Sequence, residues 1–262
     1  MSIKVYGADV EFMKFSAGEP HVKVTRINSF VKINWKFENF EEFMYVAMIC
    51  DVIKDKGCAV DLEIGYIPFG RQDRRTTSEQ PFSLEIFCKM LKTLKITSLN
   101  VRDSHSETFF KLMEDSPFIL EYYTQIQCAA LTPLVQYFIP KYSVYDCVIS
   151  PDKGAVAKSR NFAEAMNKPL ICATKVRDPL TGQLSSPTID FGDLKPKRAL
   201  IPDDIADGAG TFIQLADVIK QQFPDVVLDL YVTHGIFSRG KEELNKRFNK
   251  IYVYNDMSKE KN

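Results

Sequence analysis

From about residue 38 onward, short apolar runs with period two alternate with longer stretches whose apolar residues recur at helical spacing. Residues 38–56 place Phe43, Val46, Ala47, Cys50 and Ile53 on one face, which predicts a helix. Ala59–Ile64 alternates as a strand does. Residues 82–94 are amphipathic through Ile86, Phe87, Met90 and Leu94, and 96–101 read as the next strand. The second half repeats the scheme, with strands expected at 147–149, 169–173, 199–201, 226–232 and 251–253 and helices at 154–166 and 211–222. Such alternation implies parallel sheets covered by helices on both faces. A chain of 262 residues holds one large domain of this kind or two small ones. Thr132-Pro133 and Ile139-Pro140-Lys141 interrupt the regularity, so the expected division is an N-terminal domain, 1–135, and a C-terminal domain, 136–262.

Charge and cysteine usage exclude several classes of function. Thirty-four Lys and Arg balance thirty-four Asp and Glu, so no whole-molecule basic field is available for nucleic acid. No apolar run approaches the roughly 18 residues of a membrane span. The start, Met1 to Tyr6, lacks the apolar core and cleavage site of a signal peptide, and a soluble, cytoplasmic protein is expected. Six cysteines without any C-x-x-C pair, and only three histidines, argue for buried thiols in a reducing compartment rather than a zinc site.

In open α/β sheets, ligands bind beyond the carboxyl ends of the strands; four segments at that edge, and a fifth on a long loop, carry unusual chemistry. In Ala199-Leu200-Ile201-Pro202-Asp203-Asp204-Ile205-Ala206-Asp207-Gly208-Ala209-Gly210-Thr211, an apolar strand meets two adjacent carboxylates, a small-residue turn and a helix. Gly208, Ala209 and Gly210 leave backbone N–H groups uncovered at a helix N-terminus, where a phosphate is favoured, and Thr211 adds a hydroxyl. Asp203 and Asp204 would repel a phosphate, so sugar hydroxyls or magnesium are their expected partners. Phosphate donors beside hydroxyl acceptors describe a ribose-phosphate site; the plain alternative is an acidic turn capping a helix. Arg71, Arg74 and Arg75, with Gln72 and Asp73 between them, follow a strand and suit a polyphosphate, because guanidinium forks bind phosphate oxygens in pairs. Asp103-Ser104-His105-Ser106 and Ser150-Pro151-Asp152-Lys153-Gly154 also follow strands; Asp152 could be no more than a helix cap. Lys175 and Arg177 open a loop of about twenty residues, the kind of segment that closes over a transferring phosphoryl group.

These segments, taken in order with Thr233-His234-Gly235-Ile236-Phe237-Ser238, resemble those of ribose-phosphate diphosphokinases over roughly residues 12–254. The short length is closest to compact forms linked with NAD salvage in phages and bacteria. The resemblance implies two type I phosphoribosyltransferase-like α/β domains. It also implies transfer of the β,γ-diphosphoryl group of MgATP to the C1 hydroxyl of ribose 5-phosphate, or of the larger acceptor ADP-ribose. By that resemblance Arg71, Gln72, Arg74 and His105 bind ATP, aided by Phe15 and Glu19 of a hairpin contributed by a neighbouring subunit. Asp203, Asp204, Asp207, Gly208, Ala209, Gly210 and Thr211 hold the ribose phosphate. His105, Asp152, Asp203 and Asp204 hold magnesium, and Lys175 and Arg177 act on the transition state. A homo-oligomer, dimer-based and up to a hexamer, is implied as well. Two departures stand out: Ala17 replaces the acid usual in the hairpin, and Gly208 stands where many members carry Thr. A phosphoribosyltransferase acting on a preformed diphosphate donor would use the same acidic turn without needing the arginines.

Overall fold

The computed structural model describes residues 2–130, 132, 144–174 and 186–258. The chain divides into two compact units, Met1–Tyr123 and Thr124–Asn262. The seam expected around residues 130–145 falls largely outside the described residues.

The first unit opens with β1 (Ile3–Tyr6), the hairpin strands β2 (Asp9–Lys14) and β3 (Pro20–Thr25), and β4 (Phe30–Trp35). Helix α1 (Glu41–Asp55), β5 (Ala59–Ile64), α2 (Ser83–Lys92), β6 (Ser98–Arg102), α3 (Thr108–Met113) and β7 (Ile119–Tyr123) follow. The sheet order is β1-β4-β5-β6-β7, parallel except for β1, while β2 and β3 form a sheet of their own. From β4 onward consecutive strands are neighbours, which sets the loops after β5 and β6 side by side. One face buries Val31, Ile33, Trp35, Leu62 and Ile64 in a core with α1 and α2. The other is polar: Asp61 accepts from Ser98 and Asn100, each at 2.6 Å, and Glu63 pairs with Lys32 at 2.8 Å and Arg102 at 3.0 Å. The strict alternation in Ala59–Ile64 is the cause, because a strand apolar on both faces would show no period.

The second unit contains α4 (Gln125–Ala130), β8 (Cys147–Ser150), α5 (Val156–Met166), β9 (Leu170–Thr174) and β10 (Thr188–Ile189). It continues with β11 (Arg198–Ala206), α6 (Gly210–Gln222), β12 (Val227–Gly235), α7 (Glu242–Asn245) and β13 (Lys250–Asp256). Its sheet runs β10-β9-β8-β11-β12-β13, parallel apart from β10. Here apolar cores form on both faces. Cys147, Ile149, Ala199 and Ile201 face α6, whereas Val148, Leu200 and Tyr231 pack with Phe162 and Met166 of α5. At the amino end of the sheet, buried Asp229 accepts from Tyr145 (2.6 Å), Arg198 (2.6 Å) and Asn249 (3.0 Å), so its charge is satisfied. Beyond β8 the chain moves outward to β9 and then returns to β8's other side as β11. That reversal creates a crevice at the carboxyl ends of β8 and β11, the position at which such sheets bind ligands.

Candidate functional site

Both acids of the Asp203–Asp204 pair lie within β11, which extends to Ala206 instead of ending near Ile201 as expected. Parallel pairing with β12 continues through Asp203↔Val232 and Ile205↔His234, so the ladder overrides the poor strand preference of Asp. Pro202 is tolerated in this central strand because β8 pairs with it only at Ala199 and Leu200, leaving no ladder bond for a missing N–H to break. Alternation sends the two side chains to opposite faces. Asp204 is buried, at 6% exposure, and its Oδ2 lies 3.0 Å from Lys158 Nζ on α5. Asp203 is half-buried and accepts the N–H of Asp204 at 2.9 Å. Burial, the neighbouring Asp204 carboxylate and, more weakly, Asp152 raise the Asp203 pKa well above the carboxylate range. The pair thus holds more negative charge than its surroundings neutralise, a condition that a bound cation or a proton relieves.

The turn that follows opens a helix. Ala209 adopts φ +59° as the N-cap of the 13-residue α6, and no side-chain hydrogen bond caps it. A left-handed alanine costs about 1 kcal/mol, a strain of the kind held at functional turns. Gly208 and Asp207 are half-exposed and Thr211 stands in the first turn. Across the crevice, Asp152 Oδ1 accepts from Gly154 N–H (2.8 Å) and Ala155 N–H (3.1 Å). It therefore does cap the entry to α5, as its sequence allowed, while its second oxygen belongs to the same acidic neighbourhood as Asp203.

In the first unit, Arg71, Gln72, Asp73 and Arg74 line a cavity of about 380 Å³ together with Thr76, Gln80, Pro81 and Ser83. Gly70, where this loop begins, lies against the next one: a Cβ built on it would stand 3.3 Å from His105 Cβ. The arginine loop and His105, expected to share a ligand, are thus adjacent. Asp103 turns the chain at φ +39° and its N–H bonds to the Tyr123 carbonyl at 2.8 Å, leaving His105 exposed. Phe15 and Glu19 sit at the tip of the β2–β3 hairpin, closed by Phe15 N–H to Glu19 O at 2.9 Å, with Phe15 59% exposed.

His105 belongs to the first unit, and Asp152, Asp203 and Asp204 belong to the second. Among the described residues no three His, Cys, Asp or Glu side chains converge to hold a metal unaided. Lys175 and Arg177 lie outside the described residues. Cys50, Cys88, Cys128 and Cys147 are buried, and burial pushes the Cys50, Cys88 and Cys147 thiols up to about 12; Cys172, against expectation, is exposed on β9. No described helix is long and apolar enough to cross a membrane.

Two residues escaped the sequence reading. Lys158 is an unremarked lysine within a helix, and only the fold shows it meeting Asp204. Arg239 follows immediately after the Thr233–Ser238 segment, and its side chain reaches Gly208, with Nε 3.7 Å from where a Cβ would be.

The fold is that of a two-unit α/β protein, with mainly parallel sheets flanked by helices and, after a pair of strand carboxylates, a turn into a helix without a side-chain cap. The chain is homologous to ribose-phosphate pyrophosphokinases. It is 28% identical over 252 residues to that of Pyrococcus furiosus, covering 94% of this chain and 85% of that one. It is 26% identical over 264 residues to that of Thermosipho africanus, covering 96% and 79%. The crystal structure of phosphoribosylpyrophosphate synthetase from Mycobacterium smegmatis shares the fold, with a TM-score of 0.70 at 19% identity over 94% of this chain and 85% of that one. No family model matches the chain.

Proposed function

We propose that the chain transfers the β,γ-diphosphoryl group of ATP to the C1 hydroxyl of ribose 5-phosphate, giving phosphoribosyl diphosphate and AMP. A bond forms between the C1 oxygen and the β-phosphorus, the bond from that phosphorus to the α,β-bridging oxygen breaks, and the hydroxyl proton leaves. The observation that carries this reading is the end of β11, where two carboxylates on the strand lead directly into uncapped α6 amides. In it, Asp207 to Thr211 hold the 5-phosphate, and Asp203 and Asp204 orient the ribose hydroxyls. Arg71, Gln72, Arg74 and His105 grip the ATP phosphates from the paired loops, and Lys175 and Arg177 offset the developing charge. The donor set fits magnesium, which commonly takes one or two carboxylates and completes its shell with substrate phosphates and water. When bound with Asp152, Asp203, Asp204 and His105, it would neutralise charge on the transferring group. The exposed ring of Phe15 on a separate hairpin supports base contact by a neighbouring copy in a homo-oligomer, and a cytoplasmic setting suits these substrates.

A second reading keeps the chemistry and enlarges the acceptor to ADP-ribose, placing the enzyme in NAD reconstitution. It is motivated by Gly208, which has no side chain where many members of the resembled family carry Thr. The purified chain with ATP and magnesium should release AMP when ribose 5-phosphate is added. AMP release with ADP-ribose alone would replace the first reading by the second. A transferase using preformed diphosphate donor would instead keep full activity in Arg71→Ala.

A further inference from the structure

The loop after β12 is bound to the root of the anion turn. Ile236 and Phe237 both donate their N–H groups to the carbonyl of Ala206, at 2.8 and 3.1 Å, one residue before Asp207. Phe237 is buried at φ +47°, with Lys241 Nζ 4.6 Å from its ring centre. Gly240 N–H closes back onto the Phe237 carbonyl at 2.8 Å, so Ser238 and Arg239 form the tip of a short turn whose base is fixed. Arg239 is solvent-exposed, yet its Cδ and Nε pass 3.8 and 3.7 Å from the Cβ position of Gly208. A Cβ at position 208 would lie in ordinary van der Waals contact with those two atoms. A guanidinium therefore stands beside a turn whose amides already favour an anion, and among the described residues no other cationic side chain comes within 4 Å of the Gly208 Cβ position.

We infer that Arg239 is an acceptor-binding residue: its guanidinium donates to oxygens of the phosphoryl group seated on the Asp207–Thr211 turn. It replaces with a charged donor the hydroxyl that a threonine at 208 would supply. The inference rests on the ribose-phosphate reading of that turn. A fork of this kind binds a phosphate directionally, and charge-assisted bonds are stronger than those of a neutral hydroxyl. Removing it weakens ground-state and transition-state binding of the acceptor alike, because the phosphoryl group lies remote from the reacting C1 oxygen.

The test is steady-state kinetics of the full chain with Arg239→Ala and Arg239→Lys, paired with calorimetric titration of ribose 5-phosphate and of ribose. The Ala variant should raise KM for ribose 5-phosphate roughly 10- to 100-fold, with kcat and KM for ATP within about twofold, and Lys should recover part of the loss. In titration it should lose affinity for ribose 5-phosphate only. Exposure of the side chain predicts an unchanged melting temperature, which separates this effect from misfolding. An unchanged KM in Arg239→Ala, beside a wild type that turns over ribose 5-phosphate, overturns the inference and leaves the reaction intact. A wild type that neither binds nor uses a ribose phosphate overturns both.

Discussion

Lys158 Nζ lies 3.0 Å from Asp204 Oδ2, joining α5 to β11 across the crevice at the carboxyl ends of β8 and β11. Asp204 is nearly excluded from solvent while Lys158 is a quarter exposed, so the lysine brings charge to the acid from the wetter side. This pair leaves Asp203 as the less neutralised member of the acidic couple, and it fixes the side chain next to which a sugar hydroxyl would bind.

Lys158→Met should therefore destabilise the fold by about 1–3 kcal/mol, because it strands a buried carboxylate. Asp204→Asn in the same chain should return most of that loss. A double-mutant cycle by urea unfolding measures the coupling, and a value near zero would refute the pairing.

Asp203 provides a pH-dependent counterpart. Burial and then the Asp204 carboxylate raise its folded-state pKa above its unfolded value, so the folded chain favours the protonated acid. Its contribution to stability is complete below about pH 4, the unfolded value, and is lost as pH rises through the folded one. Without divalent cations, Asp203→Asn should be more stable than the parent at pH 7.5, with the two converging near pH 4. Urea midpoints across that range decide it; a gap independent of pH would show that the acid is not strained. The same variant should lose AMP release with ribose 5-phosphate by orders of magnitude.

Adjacent loops in the first unit give a third test. A Cβ at Gly70 would stand 3.2 Å from the Ile67 carbonyl oxygen and 3.3 Å from His105 Cβ, closer than side chains ordinarily approach. Gly70→Ala should push the His105 loop outward by a few tenths of an ångström, with little effect on melting temperature. KM for ATP should rise several-fold while KM for the acceptor stays put. If both constants move together, the two loops do not serve one ligand.

Period and turn chemistry made much of this architecture legible. Ala59–Ile64 appears as expected, and α1, α2, α5, α6 and β13 differ from expectation mainly at their ends. Short elements were harder to see: β1 to β4 occupy the first 35 residues without the helical alternation that marks the rest, only the β2–β3 hairpin being implied by the resemblance, and α3, α4 and α7 span six residues or fewer. The carboxylates of β11 looked like a loop because Pro and Asp oppose strand formation locally, and pairing with β12 outweighs that. The turn between β11 and α6 was readable because small residues between an apolar strand and a helical pattern mark a tight connection. Lys158 and Arg239 were not, since nothing local marks a surface cation whose partner lies 46 or 31 residues away.

Gly235 links the loop that carries Arg239 to the core. It ends β12 opposite Ala206, and a Cβ there would fall 2.1 Å from Phe237 Cε2, a separation no repacking within the rotamer can absorb. Phe237 fills a buried site beneath the turn, so it must swing out if Gly235 gains a methyl group. Gly235→Ala should lower stability by about 1–3 kcal/mol, as overpacking does. It should also displace Arg239 from Gly208, so that KM for ribose 5-phosphate rises as in Arg239→Ala while KM for ATP holds. Combining Gly235→Ala with Arg239→Ala should then add little to KM, since the first change already removes what the second deletes. Full additivity in KM would mean that Gly235 acts on the acceptor site by a route other than the Phe237–Arg239 turn.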